Sequence, residues 1–279
     1  MKRTSGGAPV TCVQRSHGWS FPDLEEVWRY RELLYFFVWR DIRVRYKQTV
    51  LGASWAVIQP LFTMIVFTIF FGHLAKIPSE GIPYPIFAYA ALVPWAYFAQ
   101  SITQASNSLI SHQGIITKVY FSRLIIPLSA ALSGLLDFAI AFLVLLGMII
   151  FYGIVPNFAM LLVPPLILLS MVTALGVGLW MSALNVMYRD VRYAVPFIVQ
   201  LWLLATPIAY PSSLVPEAWR TLYGVNPMVG VTEGFRSALL GTGETFGPMF
   251  LVSVLVSLLL LATGLLYFQR MERTFADVA

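Results

Sequence analysis

The sequence predicts an all-α membrane protein with six transmembrane helices, and three observations carry that expectation. Of 279 residues, 58% are hydrophobic and 11% charged, with a mean hydropathy of +0.77; a soluble domain carries about 25% charged residues. Six long runs are free of charge or nearly so, at about 51–74, 87–110, 124–151, 160–184, 194–210 and 248–268. A helix needs about 20 apolar residues to cross a ~30 Å hydrocarbon core. With the loops numbered alternately from the N-terminus, 15 of the 18 lysines and arginines fall on one side; Lys76, Arg220 and Arg236 fall on the other. The positive-inside bias then places both termini in the cytoplasm of a multi-pass protein of the inner or plasma membrane. The runs are continuous rather than alternating, which excludes a β-barrel.

Composition removes several function classes. One cysteine, Cys12, allows no disulfide framework, and His17, His73 and His112 are too scattered for a metal centre. The +5 net charge is spread over juxtamembrane positions, as contact with anionic lipid or a protein partner requires, so no nucleic acid is invoked. No G-x-x-x-x-G-K-[ST], H-E-x-x-H or G-x-S-x-G occurs, so neither an ATP-phosphate loop nor a hydrolytic site is expected. The first 32 residues hold no apolar core of signal-peptide length, and the first span is expected to target the chain.

In chain order, a cytoplasmic segment (1–27) precedes an amphipathic stretch (28–47) that mixes aromatics with charge. On a helical wheel Glu25, Arg29, Glu32, Arg40, Arg43 and Lys47 share an arc of about 80°, with Phe36 the one apolar intruder. Such a helix lies in the membrane interface; Arg31, Asp41 and Arg45 fall off its charged face. The six-span unit (48–270) follows, and then a cytoplasmic tail (271–279). Between spans two and three, residues 111–123 read as a short surface helix carrying Lys118, Tyr120, Phe121 and Arg123, or else as a solvated turn. Between spans four and five, Arg189, Asp190 and Arg192 read as topology signals. The segment 211–247 holds two apolar-periodic stretches, 216–223 with Trp219 and 227–240 with Glu233 and Arg236. Asn226 before Pro227 is a helix-start signal, and Glu233 and Arg236 have pairing distance on one face. Too polar to span and too apolar to float, the two stretches read as a re-entrant hairpin on the extracytoplasmic side.

Asp137 is the one ionisable residue at mid-span. An acid there costs about 2.5–3.5 kcal/mol on insertion scales, so it needs a partner or a wet pathway. No other span supplies an acid in line, which argues against a proton relay. Span two is polar at its C-terminal end (Gln100, Ser101, Thr103, Gln104, Ser106, Asn107, Ser108), fitting bundle-interior bonding and a polar passage equally. Trp55, Phe62, Trp95, Tyr97, Phe98 and Trp202 fit an interface belt, and ring faces that stack on sugars fit the same positions.

Four stretches carry a resemblance: RDIRVRYKQTVLGASWAVIQP (40–60), ITKVYFSRLIIPLSA (116–130), NVMYRDVRYAVPF (185–197) and NPMVGVTEGFRSALLG (226–241). In that order and spacing the chain resembles the permease subunit of type-2 (ABC-2) ABC exporters, nearest the branch that exports lipid-linked polysaccharides: O-antigen, capsule and teichoic acid. Members often flank the arginine of the second stretch with Pro and Glu, where this chain has Ser122 and Leu124. The resemblance implies a homodimer with two copies of a separate ATPase subunit, which binds ATP and Mg, leaving this chain without cofactor or catalytic residues. It makes 28–47 the interface helix, with Arg40, Arg43 and Lys47 toward the ATPase. It makes 111–123 the coupling helix, with Lys118, Tyr120, Phe121 and Arg123, and 216–241 the gate hairpin, with Trp219, Asn226, Pro227, Glu233 and Arg236. The glycan path would run past Trp55, Phe62, Trp95, Tyr97, Phe98, Gln100, Gln104 and Trp202. The alternatives are a type-2 exporter of drug, lipid or haem, and then a channel or an intramembrane enzyme.

Overall fold

The computed structural model describes residues 24–47, 52–116, 118–119, 121–155, 158–242 and 247–272. Among these every regular element is helical. Four helices are long and apolar enough to cross a membrane. The first is α3 (Trp55–Phe67), continued by a π-helical turn over Thr68–Leu74. The others are α6 (Ile125–Phe151), α7 (Val163–Met187, entered through a 3-10 turn at Phe158–Leu162) and α11 (Pro248–Glu272). These match four of the predicted runs to within a few residues.

The other two runs differ in instructive ways. The second forms α4 (Tyr84–Ser111), whose 28 residues are ample in length but polar over the last third. The fifth, expected over 194–210, forms α8 (Val191–Ala205) and stops five residues early. Thr206 precedes Pro207 and is extended (φ −103°, ψ 142°), because a proline ring disfavours helical backbone in the residue before it. Its 15 residues reach roughly 22 Å at 1.5 Å per residue.

α4 is the hub of the bundle. It packs on α3, α6, α7, α8 and α10, and its first half, from Ile86 to Val93, is almost wholly enclosed. α7 and α11 cross so closely at Gly176 and Gly264 that a Cβ at Gly264 would meet the Gly176 carbonyl at 2.5 Å. Only glycine permits that approach.

The N-terminal stretch is two helices, α1 (Leu24–Arg29) and α2 (Arg31–Tyr46), where a single helix over 28–47 is predicted. Tyr30, at φ −96° and ψ 23°, leaves the helical region between them. Phe36 is exposed and its neighbour Phe37 buried. Phe37 packs on His112 and Phe121 (ring centroids 5.6 and 5.9 Å), within an apolar cluster that includes Leu109, Leu179 and Phe268. That cluster ties α2 to α4, α6, α7 and α11 at one end of the bundle. Between α4 and α6 the regular helix is the single turn α5 (Gln113–Ile116), shorter than the surface helix read over 111–123. The predicted terminal segments fall outside the described residues up to 23 and beyond 272.

The two stretches read over 216–223 and 227–240 are helical, as α9 (Glu217–Tyr223) and α10 (Pro227–Leu240). Asn226 caps α10, its side chain accepting from the Met228 backbone N–H at 3.1 Å, with Pro227 at the first helical position. Gly241 ends the helix in the left-handed region (φ 73°), where a Cβ is penalised. All 14 residues of α10 are buried.

Candidate functional site

A groove of about 640 Å³ runs between α3, α4, α6 and α8. Its inner wall is the polar side of α4 with Asp137 and Phe138 of α6. Its outer edges are α3, with Trp55, Gln59 and Thr63, and α8, with Pro196 and Gln200. Of the side chains assigned to a substrate path, Trp55, Trp95, Tyr97, Gln100 and Gln104 line it. Phe62 points outward on α3 and is 65% exposed. Phe98 and Trp202 stand behind the wall as an edge-to-face pair at 5.1 Å, the Trp202 indole donating to Asn226 Oδ1 at 2.8 Å. Gln59, Thr63, Thr103 and Gln200 also line the groove; the polarity of Thr103 is legible in the sequence, but nothing in it singles out the others.

Asp137 finds its partners on an element outside the spans. Arg45 and Tyr46, the last residues of α2, both donate to its carboxylate, and Gln100 Nε2 donates to Oδ2 at 2.7 Å. The Arg45 guanidinium also reaches Gln104 Oε1 at 2.5 Å and Ser133 Oγ at 3.2 Å. Burial, and then the carboxylate it donates to, push the Tyr46 phenol up to about 12, so it stays a donor. The sequence asks for a partner or a wet pathway, and Asp137 has these donors and also lines the groove. Arg45 is one of the two arginines that fall off the charged face of α2, and only the fold separates it from Arg31.

At the opposite end of the groove's helices, Arg236 of α10 is wholly buried. Its guanidinium donates to the carbonyls of Phe87 (3.2 Å), Pro207 (2.6 Å), Ile208 (2.6 Å) and Tyr210 (3.3 Å), and to Glu233 Oε1 at 3.0 Å. It lies 3.6 Å from the centroid of the Phe87 ring. Glu233 Oε1 also accepts from the Ser212 N–H at 3.3 Å. The backbone after α8 loses its helical partners, and this one side chain supplies replacements for three of its carbonyls. Trp219 on α9 is 61% exposed and takes no part.

The residues expected to meet an ATPase divide in two. Arg43, Lys47 and Lys118 are exposed, Arg43 lying over Trp39 at 5.5 Å, and Arg40 pairs with Asp41 at 2.8 Å. Phe121 is buried in the cluster around Phe37, and Arg123 is turned inward. The Arg123 guanidinium donates to the Glu272 carbonyl, and its backbone N–H donates to the Glu272 carboxylate at 3.3 Å. Tyr120 lies outside the described residues.

The profile of the family described as ABC-2 type transporter matches residues 32–240. The chain belongs to that family. An O-antigen export system permease of Myxococcus xanthus is 27% identical over 91% of this chain and 98% of its own. A protein of the same name from Klebsiella pneumoniae is 30% identical over 88% and 95%. A polysialic acid transport protein of Escherichia coli is 23% identical over 80% and 90%. In this ABC-2 permease the family match covers α2 from residue 32, with Arg45 and Tyr46 at its end, and α10 with Arg236, so both arginines lie inside the shared region.

Proposed function

We propose that this ABC-2 permease is the membrane half of an ATP-driven exporter of a lipid-linked polysaccharide, working as a homodimer with two separate ATPase subunits. The observation that carries the reading is the groove. Gln59 and Gln200 stand exposed on its outer edges, and in hydrocarbon a polar side chain without a partner is costly. A second copy laid against α3 and α8 would cover them and close two half-grooves into one passage walled by amides and aromatic rings. Those two helices carry the apolar surface such a contact needs, with Ile65, Phe70, Phe197 and Leu204 each at least 46% exposed. The relatives, named for O-antigen export and polysialic acid transport, support a polysaccharide as the substrate class.

In this reading α3, α4, α6, α7, α8 and α11 are the six spans and both termini are cytoplasmic. α8 crosses with the help of the extended chain after it, which the Arg236 bonds make tolerable at depth. α9 and α10 form the re-entrant gate. Arg40, Arg43, Lys47 and Lys118, with Phe121 and Arg123 behind them, form the face that meets the ATPase, and Tyr120 of the same segment is assigned to it from the sequence alone. Closure of the ATPase pair parts α3 and α8 across the two-fold axis.

A tagged pull-down from native membranes, with an ATPase assay of the purified material, tests this. Recovery of a roughly equimolar ATPase, together with lipid-linked glycan accumulating inside cells that lack the permease, is the expected result. A chain that purifies without nucleotide hydrolysis, or whose loss leaves glycan export unchanged, would refute it.

A further inference from the structure

We infer that Asp137, Arg45 and Tyr46 form a clamp that makes α2 move as one body with α4 and α6, so that displacement delivered to α2 acts on the inner wall of the groove. The last clause rests on the function proposed above; the clamp itself does not.

The clamp joins residues 91 and 92 positions apart. One carboxylate, 7% exposed, takes three donors from two elements: Arg45 and Tyr46 from α2, and Gln100 from α4. The guanidinium that neutralises it is held in turn by Gln104 of α4 and Ser133 of α6. Arginine suits this place because its planar fork meets several acceptors at once without losing its charge. Moving α2 away from α6 would strand a carboxylate and a guanidinium in a medium of low dielectric, which is far less favourable than moving the three helices together.

The two walls of the groove are unequally held. In the apolar core of α6, 33% of residues are buried, against 6% along α3. α3 also follows a turn in which Gly52 has φ +44°, a backbone conformation that glycine adopts freely. Within one chain the less enclosed wall is therefore α3 with α8, and the clamp fixes α2 to the more enclosed one. In positioning terms, Asp137 holds the groove's inner wall to the helix on which a partner would push.

The experiment uses the full-length chain with its partner in lipid nanodiscs, Cys12 replaced by Ser. Spin labels at Tyr35→Cys on α2 and Leu143→Cys on α6, both exposed, report the α2–α6 distance. A second pair at Leu143→Cys and Leu168→Cys reports α6–α7. The test variant is Arg45→Met with Asp137→Leu, which removes both charges at similar volume and leaves no buried ion without a partner. The expected result is a narrow α2–α6 distribution in the parent that at least doubles in width in the variant, with the α6–α7 distribution unchanged. An α2–α6 distribution as narrow as the parent's overturns the clamp, whatever the transport activity. In the reconstituted exporter the same variant is expected to export at least tenfold less glycan per ATP hydrolysed, with the ATPase still bound. Export per ATP equal to the parent's overturns the coupling role. Failure to recover any ATPase with the unmodified chain is a separate result that sinks the proposed function and leaves the distance measurement standing.

Discussion

Replacing Arg236 by Met removes a group with five bonds and no solvent contact. Two costs follow from the geometry. Glu233 keeps its Ser212 bond but loses its counter-ion, and breaking a buried pair by removing one partner costs about 3–5 kcal/mol. The carbonyls of Phe87, Pro207, Ile208 and Tyr210 lose a charged donor, and each buried group left unsatisfied adds about 1–3 kcal/mol. Even with partial relaxation the sum reaches the whole stability of a typical fold, about 5–15 kcal/mol. Arg236→Met is therefore expected to be recovered from membranes at a small fraction of the parent's yield. Arg236→Lys keeps the charge but aims three donors from a point rather than a fork, and is expected to retain measurable folded protein. At roughly 2–4 °C per kcal/mol for a chain of this size, a cost near 3 kcal/mol lowers its apparent melting temperature by about 6–12 °C. Thermal unfolding followed by size-exclusion chromatography in mild detergent reads both. An Arg236→Met protein that melts within 2 °C of the parent would refute the reasoning, since the carbonyls after α8 would then have other partners.

Asn226→Ala removes the α10 cap together with the bonds to the Trp202 indole, Thr206 and the Ala205 carbonyl; it is expected to cost about 2 kcal/mol, the upper end for a cap, read as a shift of the same melting curve. Gly176→Ala sets a Cβ 2.7 Å from the Leu260 backbone, and spreading α7 from α11 is expected to cost about 1–3 kcal/mol, against a null shift for Gly147→Ala, which meets nothing within 4 Å. Lys118→Glu is expected to lower the amount of co-purified ATPase while the melting temperature holds. Arg123→Glu should lower both, because its carboxylate would face Glu272; wild-type stoichiometry in both variants would refute the docking face.

How far the sequence reached depends on whether a feature is local. Spans α3, α6, α7 and α11 are legible because each is a long apolar run, and α10 because Asn226, Pro227 and Gly241 mark its ends within the chain itself. The end of α8 is legible too, in Pro207, but a hydropathy window reads past it, since the turn residues up to Tyr210 carry no charge. The site is less accessible. That Asp137 needs a partner or a wet pathway follows from its depth, and Arg45 is, with Arg31 and Asp41, one of three charged residues off the charged face of α2, yet joining the two needs the path of α2 across α6. Arg123 and Glu272 lie 149 residues apart and nothing local links them. Phe62 and Tyr97 are equally aromatic on neighbouring spans; the tilt of each helix alone decides which faces the groove.

The complete burial of α10 has a consequence for how the protein is made. α10 leaves the ribosome before α11, yet the Gly230 N–H donates to Ser253 Oγ at 3.2 Å, and Ser253 Oγ donates to the Gly224 carbonyl at 3.0 Å, so one flank of α10 is supplied by α11. Chains emerge and organise from the N-terminus, and until α11 inserts, α10 lacks that flank. Until the 25 residues of α11 are in place, α10 lacks the side chain that bonds Gly230 and Gly224. A chain cut before Ser253 keeps every residue of α10 and loses these two bonds.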